Sequence, residues 1–195
     1  MVYSRTIDDT ALSFGVSGRL YKSNVLLYDH QTESLWSQLM ARAVAGPMAG
    51  DRLTILPSHR TTWRFWSARH PQTRILSTRT GFDRNYTIDP YEGYYRVSSI
   101  WFPVGNVRKD LPAKERVLGI TIGNEARAYP LSRITQDAGV IEDVVGGETI
   151  RIQIDPGGEI SGVSDDRKTL LPHLFVYWFA WQAFYPDTTV YASSR

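Results

Sequence analysis

The sequence predicts a single α+β domain that is rich in antiparallel β-sheet, carries two repeat-related helices and is internally duplicated. Most of the chain shows the apolar and polar alternation of half-buried strands. Two aromatic segments with helical spacing also resemble each other in sequence. The chain has 195 residues, 42% of them hydrophobic, and a net charge of only +2, which together indicate one ordered domain with a sizeable core.

The first part of the chain has the pattern of strands and tight turns. Residues 2–7 and 11–18 alternate apolar with small or polar side chains. Asp8 and Asp9 between them favour a turn, so the two segments predict a hairpin. Strand character continues over three further segments, residues 19–29, 34–46 and 46–57.

A helix is predicted over residues 61–71. Trp63 and Trp66 are three positions apart and therefore lie on one helical face. Thr61 or Thr62 can cap the amino terminus of this helix, because a threonine hydroxyl accepts a hydrogen bond from a backbone N–H of the first turn.

The remainder of the chain contains a long loop, hairpins and a second helix. Residues 80–113 are rich in Tyr, Gly, Asp and Pro, which predicts a loop that is functional or lies over the core. Residues 114–131 alternate around Gly123 and Asn124 and form the clearest predicted hairpin. The other predicted elements are a strand at 74–78, a hairpin at 140–154, a helix at 175–186 and a strand at 188–192.

Two pairs of segments repeat within the chain. Residues 63–73 and 178–188 align without a gap and share both tryptophans, and residues 7–17 align less closely with 154–164. The two segments of the second pair are separated by more residues than the two segments of the first pair. The first copy must therefore contain additional residues between its hairpin and its helix, and these fall across 18–49. A shared scaffold accounts for the fold, which makes this added segment a candidate for function.

The predicted domain spans residues 1–195 in two half-units. These are approximately 1–80, with the insertion near 18–49, and 114–195, joined by the loop at 80–113. The alignment pairs the hairpin that opens the second half-unit with a segment upstream of residue 1, so the chain is expected to begin partway through its first unit. An uncovered sheet edge favours self-pairing, and we expect a homo-oligomer such as a homodimer.

The inserted segment holds the densest cluster of polar and aromatic side chains. Asp29, His30 and Glu33 are residue types that act as general acids and bases or bind metal ions. Tyr28 and Trp36 are placed to flank a small polar ligand with one apolar face. The predicted ligand-binding residues centre on 28–38 and are Arg5, Tyr21, Tyr28, Asp29, His30, Gln31, Glu33, Trp36 and Gln38.

This cluster leaves three functions open. The first is a globular module that binds a small polar ligand or a metal. The second is a hydrolytic or redox enzyme that uses Asp29, His30 and Glu33. The third is a structural or assembly domain, in which the same residues satisfy the backbone groups of a turn. The residues identify no cofactor, and no metal ligands are assigned.

Composition excludes several classes of protein and site. The chain has no Cys, which excludes a disulfide scaffold, a thiolate zinc site and a Cys nucleophile. No apolar run approaches the roughly 20 residues that cross a bilayer, so no membrane span is predicted. Arginines are sparse among the aromatic stripes, so no nucleic-acid partner is predicted. His59, His70 and His173 stand alone and are interpreted as core or surface residues.

Several long motifs resemble one family. GVSGRLYKSNVLLYDHQTESLWSQ at 15–38, LPSHRTTWRFWSARHPQT at 56–73 and KERVLGITIGNEARAYPL at 114–131 are similar to the bacterial and archaeal family called domain of unknown function 3179. The resemblance covers essentially the whole chain. It implies no established activity.

The resemblance has further implications. Family members usually extend upstream, with another hairpin of the GNEARAYPL type and a Cys-Pro-x-Cys-like element, so this chain is expected to lack the amino-terminal part. Members often carry export signals or lipid anchors. The protein is therefore expected to be cytoplasmic as the chain stands, and exported if an upstream region carries a signal. Lys22 stands where the family usually has Asn, which changes the polar contacts expected there.

Overall fold

The computed structural model describes residues 1–105, 107–136 and 138–192. Antiparallel sheets dominate and the helices are short, which confirms the β-rich prediction and agrees with the α+β class. The strands are β1 (Val2–Tyr3), β2 (Thr6–Ile7), β3 (Thr10–Ala11), β4 (Phe14–Tyr21), β5 (Asn24–Asp29), β6 (Leu35–Ser37), β7 (Arg42–Ala45), β8 (Ile55–Leu56), β9 (Arg116–Ile122), β10 (Glu125–Pro130), β11 (Gly139–Val145), β12 (Glu148–Asp155), β13 (Glu159–Asp165), β14 (Leu174–Tyr177) and β15 (Thr189–Val190). The helices are α1 (Trp63–Arg69), α2 (Glu92–Arg96), α3 (Leu131–Ile134) and α4 (Trp178–Phe184). Each helix in the described part of the chain falls short of the length and apolar character that a bilayer crossing requires.

Strands β4 to β7 form a four-stranded antiparallel meander from the segment that the repeat alignment marks as additional. Lys22 and Ser23 join β4 to β5, and their φ angles of 49° and 61° suit the two-residue turns that hairpins favour. Leu12, Trp36 and Leu53 are buried in a cluster beneath this sheet. The segment therefore forms a small sheet with its own core.

A second sheet has the strand order β14-β9-β10-β15 and turns from β9 to β10 at the predicted position. Helix α4 packs on this sheet with Trp178 and Trp181 fully buried. Gly119 of β9 lies against the indole of Trp181, and a Cβ at this glycine would come within 2.3 Å of the ring. The sheet accommodates the tryptophan because position 119 has no side chain.

The third sheet, β11-β12-β13, contains the second predicted hairpin and packs against β9 and β10 through a cluster of buried isoleucines and valines. Arg127 of β10 pairs with both carboxylate oxygens of Asp143 in β11, each at 2.7 Å. The hydroxyl of Tyr129 donates to the same carboxylate at 2.7 Å. These bonds fix the second and third sheets to each other.

Helices α1 and α4 share their internal geometry. Trp66 Nε1 donates to Thr73 Oγ1 at 2.9 Å, and Trp181 Nε1 donates to Thr188 Oγ1 at 2.8 Å. Their surroundings differ, because Trp181 is fully buried, whereas α1 contains no buried residue and Trp63 is 51% exposed. The two segments therefore match in local structure, while internal duplication of the whole chain stays a prediction.

Three predicted elements differ from the structure. The hairpin predicted between residues 2–7 and 11–18 is limited to β2 and β3, while β1 pairs with β8 and β4 pairs with β5. Residues 74–78 form no strand, since Ile75 and Leu76 are exposed and no neighbouring strand pairs with them. The helix predicted at 175–186 begins at Trp178, and the residues just before it form β14, which pairs with β9. A short apolar run suits either a strand or a buried helix, and here the free edge of β9 decides for the strand.

Candidate functional site

Asp29, the centre of the predicted site, ends β5 and is fully buried. Its carboxylate accepts hydrogen bonds from the backbone N–H of Thr32 at 2.5 Å, the Thr32 hydroxyl at 2.9 Å and the indole of Trp36 at 2.8 Å. Burial alone would raise the pKa of Asp29, but these hydrogen bonds outweigh it and hold the pKa below its usual value. Both carboxylate oxygens are therefore used to hold the turn between β5 and β6.

The other two residues of the predicted acid–base group do not share this environment. His30 and Glu33 are exposed, and the His30 ring meets the Tyr28 ring edge-on at 4.9 Å between centroids. Trp36 is buried edge-on against Phe14. Within the described ranges, no group of three or more His, Asp or Glu side chains is arranged to hold a metal ion.

The remaining predicted ligand-binding residues also make internal contacts. Gln31 binds both the backbone N–H and the hydroxyl of Ser13 at 2.9 and 3.0 Å. The side chain of Gln38 donates to the carbonyl of Val25, and Arg5 donates to the carbonyl of Leu12. Tyr21 packs edge-on against Phe184 of α4.

The predicted residues do not converge on one cavity. Of the nine, Tyr28 and Glu33 line a shared groove of about 400 Å³ on the face of the first sheet. The other residues that line this groove are Val16, Ser17, Arg19, Leu35, Ala45 and Gly46.

A larger cavity lies elsewhere, where the chain before α1 passes the edge formed by β14 and β9. Two lobes of about 510 and 830 Å³ meet there. Both are lined by three cationic residues, Arg60, Lys114 and Arg116, and by the apolar side chains of Leu131 and Phe175. We call the two lobes together the cationic cleft.

Arg60 and Arg116 are the exposed guanidinium groups of the cationic cleft. Neither forms an ion pair within 4.0 Å in the described part of the chain. Arg60 lies over the ring of Phe175 at 5.7 Å. Burial, and then the neighbouring charge of Arg116, lower the pKa of Arg60, while Glu159 acts in the opposite direction. The charge of Arg116 is therefore unfavourable for Arg60, although both side chains are exposed to solvent.

The Lys114 side chain forms hydrogen bonds within the protein. Its ammonium group donates to the carbonyls of Tyr94 and Val97, both at 2.6 Å, and lies 3.3 Å from the centre of the Tyr94 ring. These carbonyls are at the carboxyl-terminal end of α2, where a cation is favourable. Lys114 thus fixes α2 beside the cleft and adds positive charge to it.

The smaller lobe is lined by hydroxyl and carboxylate groups, and we call it the hydroxyl lobe. The hydroxyl oxygen of Thr61 is buried there and has no hydrogen-bond partner among the described residues. One carboxylate oxygen of Glu115 accepts from the backbone N–H of Ser132 at 3.2 Å. The polar residues of this lobe are Thr61, Thr62, Glu115, Ser132, Thr135 and Glu159.

The larger lobe has aromatic walls, and we call it the aromatic lobe. Tyr95, Phe175 and Tyr177 line it together with His173. The His173 ring is buried, lies edge-on to Phe175 at 5.3 Å, and has its Nδ1 3.0 Å from the carbonyl oxygen of Leu171. Burial lowers the pKa of His173, so this side chain is held neutral at pH values where an exposed histidine begins to protonate.

This cleft is difficult to predict from the sequence. Arg60, Lys114 and Arg116 come from two distant segments, and His173 was interpreted as an isolated histidine of the core or surface. Two short sequence features point to the cleft. Lys114 and Arg116 lie at the start of a predicted strand, and Arg60 directly precedes a predicted helix. The pairing of β14 with β9 places Phe175 and Tyr177 beside Arg116, and a β-bridge between Arg60 and Ile160 of β13 brings Arg60 to the same cavity.

The comparisons with known proteins bear on this arrangement. A family model described as a protein of unknown function (DUF3179) matches residues 1–170 of the 195. The chain belongs to the DUF3179 family. No curated protein and no solved structure matches it significantly.

The DUF3179 match includes part of the cationic cleft. The matched range contains Arg60, Lys114 and Arg116. It ends before β14, the strand that contributes Phe175 and Tyr177 to the wall of the aromatic lobe. The three cations therefore lie in the part of the chain that the family description covers.

Proposed function

We propose that this DUF3179 protein binds a small anionic ligand in the cationic cleft. The observation that carries the proposal is that Arg60 and Arg116 face one cavity without an ion pair. The proposal keeps the predicted class of protein, a ligand-binding module, and moves the site away from residues 28–38. Cavities of this size and mixed lining are typical of small-molecule sites.

The electrostatics of the cleft favour an anion. Arg60 and Arg116 line one cavity with like charges, and a carboxylate or phosphate between them removes their mutual repulsion. Arginine presents a planar set of donors that matches such oxyanions with two parallel hydrogen bonds. Lys114 adds a third positive charge while it keeps its contacts to α2.

The test is a titration of the protein with inorganic pyrophosphate by isothermal calorimetry at low ionic strength. We expect measurable binding that weakens about 10-fold or more in Arg60→Gln and in Arg116→Gln, since each removes charge-assisted hydrogen bonds. Arg167→Gln is the matched control, because Arg167 is an exposed arginine that does not line the cleft.

Two results contradict the proposal. One is the absence of heat and of any thermal stabilisation with pyrophosphate. The other is a loss of affinity in Arg167→Gln as large as that in the cleft variants, which would indicate attraction by net charge alone.

For residues 28–38 we propose the structural alternative. The contacts of Asp29 support it: the carboxylate accepts from Thr32 and Trp36, as a residue that closes a turn does. An enzyme that uses Asp29, His30 and Glu33 together would need these three side chains around one reacting atom. The burial of Asp29 and the exposure of His30 and Glu33 favour the turn over such a site.

We also propose that the chain is internally duplicated and forms a homodimer. The matching hydrogen bonds of Trp66 and Trp181 support the duplication. The exposure of Trp63, whose counterpart Trp178 is fully buried, supports self-association. Light scattering at high protein concentration tests the dimer, and a monomer there contradicts it.

A further inference from the structure

We infer that the ligand of the cationic cleft carries its negative charge between a hydroxylated part and an aromatic part, as in compounds that join a sugar to a nucleoside through a diphosphate. This inference rests on the proposed function and names the class of ligand. Arg60 and Arg116 line both lobes, so they lie at the junction where the hydroxyl lobe and the aromatic lobe meet. A ligand that fills both lobes must place its anionic group at that junction.

The hydroxyl lobe offers hydrogen-bonding groups that the protein itself leaves unused. The hydroxyl of Thr61 has no partner among the described residues, and the side chain of Ser132 is exposed. Glu115 uses one carboxylate oxygen to hold Ser132, which leaves the other oxygen to accept a hydrogen bond. A buried hydroxyl without a partner is costly, and a ligand hydroxyl would satisfy it.

The carboxylates decide which part of the ligand enters which lobe. Glu115 and Glu159 both line the hydroxyl lobe, where they would repel an anion but accept hydrogen bonds from ligand hydroxyl groups. An uncharged polyol therefore fits this lobe, and the anion stays beside Arg60 and Arg116. The described lining of the aromatic lobe contains no carboxylate.

The aromatic lobe suits a planar ring. Tyr95, Phe175 and Tyr177 line it, and Leu131 adds apolar surface. Aromatic side chains favour offset-stacked or edge-on contact with a ligand ring, which adds to the free energy from burial. Each lobe, at about 510 and 830 Å³, is large enough for a ring system.

Four phosphate compounds of similar charge separate these contributions. Methyl phosphate supplies the anion alone, glucose 1-phosphate adds the hydroxylated part, phenyl phosphate adds the aromatic part, and UDP-glucose contains both parts on either side of its diphosphate. We expect glucose 1-phosphate and phenyl phosphate each to bind about 5-fold or more tightly than methyl phosphate, and UDP-glucose to bind most tightly. Calorimetry or competition at fixed ionic strength gives the four dissociation constants.

Two variants assign the effects to the lobes. Thr61→Val keeps the shape of the side chain and removes its hydroxyl, so we expect weaker binding of glucose 1-phosphate and UDP-glucose with phenyl phosphate unchanged. Tyr95→Leu changes an exposed residue of the aromatic lobe, so we expect weaker binding of phenyl phosphate and UDP-glucose with glucose 1-phosphate unchanged. Unfolding curves for both variants confirm that the fold is retained.

The outcomes distinguish this inference from the proposed function. If all four compounds bind equally, the cleft recognises charge alone, and the inference is overturned while the proposed function stands. If one part adds affinity and the other does not, the two-part ligand is likewise overturned. If none of the four compounds binds, the inference is overturned, and if pyrophosphate does not bind either, the proposed function fails as well.

Discussion

Gly119→Ala should destabilise this protein strongly, although the same substitution at Gly15 should not. The two glycines lie in strands β9 and β4, and a Cβ at either one meets an aromatic ring at short distance. The closest ring atom would be 2.3 Å from the new Cβ at position 119 and 2.5 Å from it at position 15. By distance alone, the two substitutions are nearly equivalent.

The rings differ in their freedom to move. Trp181, which faces Gly119, is fully buried and donates its indole N–H to Thr188 at 2.8 Å. Its ring also packs against the tilted ring of Tyr185, with 4.2 Å between the centroids. Tyr28, which faces Gly15, is only partly buried, and no hydrogen bond of its hydroxyl is present among the described contacts. A clash with a flexible side chain is relieved by rotation, but a clash with a locked ring moves the strand or the helix.

The expected magnitudes follow from this difference. Overpacking of a filled core costs about 1–3 kcal/mol, and the locked indole places Gly119→Ala near 3 kcal/mol. For a chain of this length that corresponds to a fall in Tm of roughly 6–12 °C. Gly15→Ala should cost less than about 1 kcal/mol, because rotation of Tyr28 removes the clash.

Urea unfolding followed by circular dichroism and tryptophan fluorescence measures both variants. The midpoint should fall clearly for Gly119→Ala and slightly for Gly15→Ala, with the slope m unchanged if the native states remain compact. Equal losses in the two variants, or a larger loss for Gly15→Ala, would refute the reasoning that the mobility of the ring sets the cost.

Two further predictions concern hydrogen bonding and pH. Thr188→Val should lower the free energy of unfolding by about 1–3 kcal/mol, because it leaves the buried indole N–H of Trp181 without a partner. Thr73→Val should change it by less than about 0.5 kcal/mol, because the indole of Trp66 can bond to water instead. Denaturant titrations of both variants measure the two costs, and equal costs would contradict this prediction. The wild-type protein should lose stability as the pH falls below about 6.5, because the unfolded chain then protonates His173 while burial holds the pKa of this residue lower in the folded state. His173→Gln should lose less stability between pH 7.5 and pH 5.5 than the wild type does, as measured by urea unfolding at the two pH values, and an identical loss in both proteins would contradict the assignment.

Local patterns were sufficient to predict much of the secondary structure. The β9–β10 hairpin follows from alternation around Gly123 and Asn124, and helix α1 follows from its tryptophan spacing and from Thr62, whose hydroxyl accepts from the backbone N–H of Phe65. The boundary of α4 could not be predicted in the same way. Residues 174–177 are apolar on successive positions, and whether they join the helix depends on the partner strand β9.

The hydrogen bonds of Asp29 had a local signal in the sequence. An aspartate whose carboxylate accepts from the backbone N–H three residues later closes a turn, and the sequence Asp29-His30-Gln31-Thr32 permits that bond. Density of polar residues does not distinguish such a turn from an active site. The decisive quantity is how many of the hydrogen-bonding positions of the carboxylate the protein fills itself.

Lys22 shows how one long side chain at a hairpin tip can have a tertiary consequence. It occupies the tip of the β4–β5 hairpin, and its ammonium group donates to the carbonyl of Ala183 at 2.5 Å near the end of α4. It also lies 5.3 Å from the ring centre of Phe184. The long side chain therefore links the first sheet to α4, which asparagine, with its shorter side chain, could not do from the same position.

Helices α1 and α4 separate what a local motif determines from what tertiary packing adds. In both helices the indole N–H of the second tryptophan donates to a threonine seven residues later. The residues that follow the two helices, His70 and Tyr185, also have nearly the same backbone angles, with φ −130° and ψ 67° at His70 and φ −124° and ψ 71° at Tyr185. The burial of their tryptophans nevertheless differs: Trp178 and Trp181 are fully buried against the sheet that contains Gly119. In α1, Trp63 is 51% exposed, and Trp66 lines an open groove beside β13. The motif therefore encodes a helix with an aromatic face, and the strand opposite determines whether that face becomes core or surface. The cationic cleft depends on the same strand, since β9 contributes Arg116 and pairs with the strand that carries Phe175.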